Sequence, residues 1–162
     1  MAAPDGRNQS SGIGRAQPSD KSRVSKPPES KLLIPRTALV PGEPDRYSGR
    51  VHVGMVAGSP DRILRLYQVV FFPGGRTAWH AHTGEQILLS LEGEFLLMIE
   101  GQGPRLVAEG HAVRIPPAAR HWHGGFPTTE AAHLAVNVAC TTTWLELVSE
   151  EEYRAAVTAV GR

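Results

Sequence analysis

An all-β sandwich or barrel is the fold class this sequence predicts, and three observations carry it. Glycine (17) and proline (13) together make close to a fifth of the 162 residues, too many breakers for a helical bundle. From residue 50 the apolar residues recur in short, strand-like segments rather than with a sustained helical period. Turn signals separate most of those segments. The length suits one domain with a sound core, and 41% hydrophobic against 20% charged residues is a globular balance.

The elements follow in order. Residues 1–30 are rich in Gly, Ser, Pro, Asn, Gln and Lys, show no period, and read as a disordered tail. The folded domain is expected over 31–162, with 31–36 as an arm strand. Strand-like runs then occupy 50–57, 62–72, 77–82, 86–91, 94–100, 104–108, 111–115, 120–124, 130–138 and 143–147. Pro73-Gly74-Gly75, Glu92-Gly93, Gly101-Gln102-Gly103 and Pro116-Pro117 mark turns among them. That spacing of short strands is the signature of a sandwich or barrel. One helix closes the chain: Ser149 caps it and Glu152 completes a capping box before Tyr153.

Composition excludes several function classes. Lys and Arg outnumber Asp and Glu by one over the whole chain. The excess lies in the tail, where Arg7, Arg15, Lys21, Arg23, Lys26, Lys31 and Arg36 face only Asp5, Asp20 and Glu29. The remainder is weakly acidic, which does not attract a phosphate backbone, and 6% aromatics offer no stacking platform for bases. No apolar run is long enough to span a bilayer and none resembles a signal peptide. A single cysteine, Cys140, forms no internal disulfide. The expected partner is a small-molecule substrate, with no nucleic acid and no membrane, and the expected location is the cytoplasm.

Six of the seven histidines fall between residues 80 and 133. His80 and His82 stand two apart on one strand, so both imidazoles enter the same face. His121 and His123 repeat the arrangement on a later strand, and His133 sits on another. A barrel wall that offers His80 and His82 from one strand and His121 from a second surrounds a cation while leaving positions open for substrate. Trp79 and Trp122 alternate with the histidines and are expected to face away, packing between the sheets.

These residues resemble the cupin motifs. Gly74, His80, His82 and Gln86, closed by Gly93, resemble the first motif, with Gln where Glu is usual. Gly110, Pro116, Ala118 and His121 resemble the second, with Ala118 in place of glycine and Gly125 in place of asparagine. A closer likeness, carried by GGRTAWHAH, Gln86, HWHGGFPTTE, AHLAV and WLELVSEEEYR, runs over about two-thirds of the chain, from residue 48 to 155. It is to small bacterial cupins that include manganese-dependent hydroxynitrile lyases. The chain departs from that group at Thr83-Gly84-Glu85, where a proline and a glycine are more usual.

The resemblance implies a double-stranded β-helix, the jelly-roll barrel of the cupins, with a short C-terminal helix and a disordered N-terminal tail. It implies His80, His82, Gln86 and His121 as ligands of one divalent transition metal, manganese first, with iron, nickel or zinc accepted by the same donors. It matches His133 to a catalytic histidine, with His123 second in that role. It implies a homo-oligomer, a dimer or tetramer by family habit. The activity it implies is a lyase acting at an oxygen-bearing carbon. A mononuclear iron or manganese dioxygenase, an isomerase or cyclase of secondary metabolism, and a non-catalytic ligand-binding cupin are the alternatives. Gln86 tilts the choice: an amide oxygen cancels none of the metal charge, which favours Lewis-acid over oxygen-activating chemistry. Glu85 as a replacement ligand, Arg114 or Arg120 as anchors for a carboxylate substrate, and Thr128 and Thr129 at the barrel rim are weaker candidates, each with a surface or turn role as its plainer explanation.

Overall fold

The structure is a computed structural model that describes residues 38–58 and 63–161. The expected tail over 1–30 and arm strand over 31–36 lie outside the described residues. Within them the chain forms thirteen strands and one helix: β1 (Val40–Pro41), β2 (Tyr47–Ser48), β3 (Val51–Ala57), β4 (Leu64–Phe71), β5 (Arg76–Thr77), β6 (His80–His82), β7 (Glu85–Glu92), β8 (Phe95–Ile99), β9 (Gly103–Val107), β10 (Ala112–Ile115), β11 (His121–Gly124), β12 (Ala131–Val138), β13 (Thr142–Trp144) and α1 (Glu150–Ala159).

Two antiparallel sheets face each other. The first runs β1-β3-β4-β12-β7-β10. The second runs β13-β6-β11-β5-β2, with β8 pairing β11 and β9 attached to β8. Because partners directly across a ladder project to one face, the registers define what enters the interior. In the first sheet Phe71 lies opposite Ala131, Val69 opposite His133, Tyr67 opposite Ala135, and Arg65 opposite Asn137. Asn137 lies opposite Gln86 on its other side. In the second sheet His80 lies opposite both His121 and Trp144.

One end of the interior is a packed apolar core of Leu88, Phe95, Leu97, Ile99, Val107, Ile115, Ala131 and Ala135. Turns hold its edges: Gly93, at φ 61°, sits where an added Cβ would lie 2.7 Å from the Glu130 carbonyl oxygen, so the β7–β8 hairpin requires glycine there.

Two expectations are corrected and two short strands are added. The predicted strand 77–82 is two strands, because the chain leaves the ladder at Ala78 and Trp79, whose N–H groups donate to Arg46 O (2.7 Å) and Glu146 O (2.9 Å). Strands β1 and β2, two residues each, are too short to show a period. Trp79 and Trp122 do face away from the histidines, but they pack beneath α1 rather than between the sheets, in a cluster with Leu96, Val148, Tyr153 and Ala156.

The capping box of α1 is complete. Ser149 Oγ accepts from Glu152 N–H (3.1 Å) and Glu152 Oε2 accepts from Ser149 N–H (2.8 Å). Three acids in the first turn complement the helix dipole. Trp79 Nε1 donates to Glu152 (3.2 Å) and Tyr153 Oη to Gly125 O (2.8 Å), which fastens the helix outside the strands that carry the histidines. Among the described residues no helix is long and apolar enough to cross a membrane.

Candidate metal centre

Strands β6 and β11 adjoin, so the two His-x-His pairs lie side by side. His80, His82 and His121 are buried, and one ring nitrogen from each falls within 4.8 Å of the others. Their other nitrogens are occupied. His80 Nδ1–H donates to Ala78 O (2.9 Å) and His121 Nδ1–H to Ala119 O (2.8 Å). His82 Nδ1 pairs with the Thr142 hydroxyl (3.0 Å). Fixing one nitrogen sets the tautomer and aims the other, the outer-shell arrangement that metal-ligating histidines use.

Burial pushes all three imidazoles towards the neutral, ligating form. His80 lies well below its ordinary range through desolvation, with neighbouring His121 adding to the effect. Desolvation lowers His82 and His121 to about 4. Gln86 approaches the cluster from the facing sheet. Its amide nitrogen donates to Asn137 Oδ1 (2.9 Å), which turns the amide oxygen to 3.1 Å from His121 Nε2.

These residues fit a divalent cation on three counts. In this amide orientation the neutral His121 presents its Nε2 lone pair to the Gln86 oxygen, two acceptors that a cation reconciles. His82 Nε2 is buried without a hydrogen-bond partner among the described residues. Three neutral imidazoles and an amide oxygen are ordinary ligands for a first-row transition metal.

A cavity of about 600 Å³ opens beside the cluster. His80, His82, Gln86 and His123 line it, together with Arg46, Tyr47, Met55, Arg65, Tyr67, Val69, Ala135, Asn137, Thr142 and Trp144. His133 is not on this wall. Its Nε2 meets His123 Nδ1 at 3.0 Å, behind the cavity. Small Ala131 and Ala135 flank it along β12, but Phe71 and Phe95 pack against it, with ring centroids 5.2 and 5.0 Å from that of His133. Burial holds His133 down to about 3 and His123 well below its ordinary range, so both are neutral. His123 Nε2 has no hydrogen-bond partner among the described residues. The sequence ranks His133 ahead of His123; the geometry gives His123 the contact with the cavity.

The weaker candidates fall away from the site. Glu85 points outward and pairs with Arg114 (2.6 Å), so it does not replace Gln86. Arg120 lies 4.3 Å over the Trp79 ring and pairs with Glu100 and Glu146. Thr128 and Thr129 are exposed in a turn. Sequence reasoning missed Asn137, Thr142 and Arg65. Asn137 carried a usable signal, since it stands four residues beyond His133 on one strand and therefore shares its face.

A double-stranded β-helix with a buried three-histidine cluster at the edge of its cavity defines a small barrel protein of the cupin class. The chain matches the cupin domain family over residues 67–138. It is 35% identical over 117 residues to an (R)-mandelonitrile lyase of Granulicella tundricola, covering 70% of this chain and 89% of that protein. The chain belongs to the cupin family and resembles the group of that lyase. Among solved structures it is similar to a cupin-like protein of Thermotoga maritima, at a TM-score of 0.73 and 34% identity over 82% of this chain and 100% of that one. It shares its fold with the polyketide cyclase RemF of Streptomyces resistomycificus, at a TM-score of 0.59 and 22% identity over 81% and 99% of the two chains.

Proposed function

We propose that this cupin is a metal-dependent lyase that breaks a bond at an oxygen-bearing carbon, with cyanohydrin cleavage as the reference reaction. The observation that carries the reading is the donor set: three neutral imidazoles and a neutral amide, with no carboxylate, beside a histidine that faces the cavity. A divalent ion held by His80, His82, Gln86 and His121, manganese by preference, would keep its charge and supply Lewis acidity towards oxygen or cyanide. The 35% identity to a mandelonitrile lyase supports the same class.

The protein's own residues account for the proton. His123 is neutral, and the tautomer this step requires carries its proton on Nδ1, donated to His133 Nε2, which leaves its own Nε2 as the basic atom. In a cyanohydrin the hydroxyl proton passes to His123 Nε2, the carbonyl forms, and the carbon–carbon bond to cyanide breaks with its electron pair leaving on cyanide. The proton returns from His123 to cyanide, and hydrogen cyanide departs. His133 acts through His123: it accepts the hydrogen bond that fixes the tautomer and orients the ring. Tyr47, Tyr67 and Trp144 shield this chemistry from bulk water.

The test is cleavage of a panel of cyanohydrins by the manganese-loaded protein, with oxygen uptake followed in parallel. Aldehyde or ketone release without oxygen uptake is expected. Stoichiometric oxygen consumption with no carbonyl release from any cyanohydrin would replace the lyase reading with that of an oxygenase.

A further inference from the structure

Two arginines line the cavity, and among the described residues only one has a side-chain partner. Arg46 pairs with Glu43 at 2.9 Å and lies over the Trp144 ring. Glu43 is the one carboxylate on the described cavity wall, so that pair is internally neutral. Arg65 differs. The residue is half-buried, but its Nε is buried with no hydrogen-bond partner among the described residues, whereas the buried Arg76 gives both Nε and Nη2 to Val148 O. A buried guanidinium nitrogen without an acceptor is costly unless the ligand supplies one.

The position of Arg65 is set by register. It stands opposite Asn137, which stands opposite Gln86, so the three share an interior row across β4, β12 and β7. Two strand spacings put the Arg65 and Gln86 backbones about 10 Å apart. A small molecule therefore reaches both the guanidinium and the histidine cluster. Between them the walls are largely apolar, formed by Met55, Tyr67, Val69 and Ala135.

We propose that Arg65 is the anion anchor of this cavity and that the substrate is a small carboxylic acid with an apolar body. Its carboxylate lies on the Arg65 guanidinium and its oxygen-bearing carbon at the histidine cluster. This rests on the metal-dependent reading above and narrows it to a substrate class. Arginine supplies parallel N–H donors that match a carboxylate, and such charge-assisted bonds strengthen where water is excluded.

The test is calorimetric titration of the metal-loaded protein with 3-phenylpropanoate, its neutral amide 3-phenylpropanamide, and phenyl phosphate. These probes lack an α-oxygen and so do not chelate a metal through a hydroxy acid. Wild type should bind the carboxylate at least about 10-fold more tightly than the amide. Arg65→Met should abolish that preference without weakening the amide, and Arg65→Lys should restore part of it. Circular dichroism checks folding, and Arg65→Gln replaces the methionine variant if that one does not fold. An undiminished carboxylate preference in the neutral variant would overturn the role of Arg65. Tighter binding of phenyl phosphate than of the carboxylate would overturn the substrate class. Metal content measured on the same samples separates these outcomes from failure of the metal reading: Arg65→Met keeps the ion whether or not the anchor assignment holds, and a wild type that takes up none defeats the earlier proposal alone.

Discussion

Asn137 is the most informative residue to perturb, because among the described residues its side chain has one hydrogen-bond partner in the site, the amide nitrogen of Gln86, at 2.9 Å. Replacing it by alanine removes that acceptor and leaves Gln86 free to rotate. A buried donor left without a partner costs about 1–3 kcal/mol. Asn137 is only 5% exposed but lines the cavity, so water entering from that side restores part of the bond and places the stability loss near the lower end. The larger effect falls on the metal. Loss of an outer-shell partner that orients a ligand weakens metal affinity by about 10- to 100-fold. Competition against a chromophoric chelator measures this directly, with thermal denaturation of the metal-free protein run beside it. Asn137→Ala should lose metal affinity by that factor while its metal-free thermal midpoint changes little. Asn137→Asp keeps an oxygen facing the Gln86 amide nitrogen and should stay within a few-fold of wild type. Equal affinity for wild type and Asn137→Ala would refute the claim that Asn137 aims Gln86, and with it the place of Gln86 among the donors.

Other predictions address the proton, the pH dependence and the backbone. His123→Ala should keep the fold and the metal but lose about 100-fold or more in turnover per bound ion; unchanged normalised turnover removes His123 from the mechanism. The buried histidines have native pKa values below the ordinary 6.5, with His82 and His121 at about 4 and His133 at about 3. Between pH 6.5 and 4 the unfolded chain therefore binds protons that the native chain does not, and each such histidine withdraws up to about 1.4 kcal/mol of stability per pH unit as pH falls. Their neutral state is fully supported above pH 6.5, so the thermal midpoint of the metal-free protein should drop steeply on acidification through this window; a flat profile contradicts the burial argument. Ala118 holds a left-handed φ of 62° in the turn leading to His121. Left-handed backbone costs a non-glycine residue about 1–2 kcal/mol, and glycine returns about 0.4–1 of that through the unfolded state. Ala118→Gly should stabilise the protein by about 0.5–1 kcal/mol in denaturant unfolding, and a destabilised variant refutes the strain.

Much of the site is legible in the sequence because period-two alternation is a local property. His80 with His82, and His121 with His123, declare a shared face from their spacing, and the structure brings three of the four together. Gln86 comes from motif resemblance and the capping box at Ser149 from a local pattern. What escaped depends on pairing between distant segments. That Asn137 meets Gln86, and that Arg65 meets Asn137, follows from registers joining β4, β12 and β7, which no single strand records. That His123 rather than His133 reaches the cavity wall is hidden for the same reason. Ala131 and Ala135 suggest space when read along β12, but Phe71 and Phe95 arrive from other strands to fill it. The break at Ala78 and Trp79 is likewise imposed from outside, by carbonyls of Arg46 and Glu146.

The central claim is that His80, His82, His121 and Gln86 hold one divalent transition ion. Elemental analysis of the purified protein, alongside its His80→Ala, His82→Ala and His121→Ala variants, tests it most directly. Far-ultraviolet circular dichroism run on the same samples confirms that each is folded. The account predicts close to one ion per wild-type chain and loss of most of it in each folded variant. Full occupancy in a folded His82→Ala, His121→Ala double variant would contradict it.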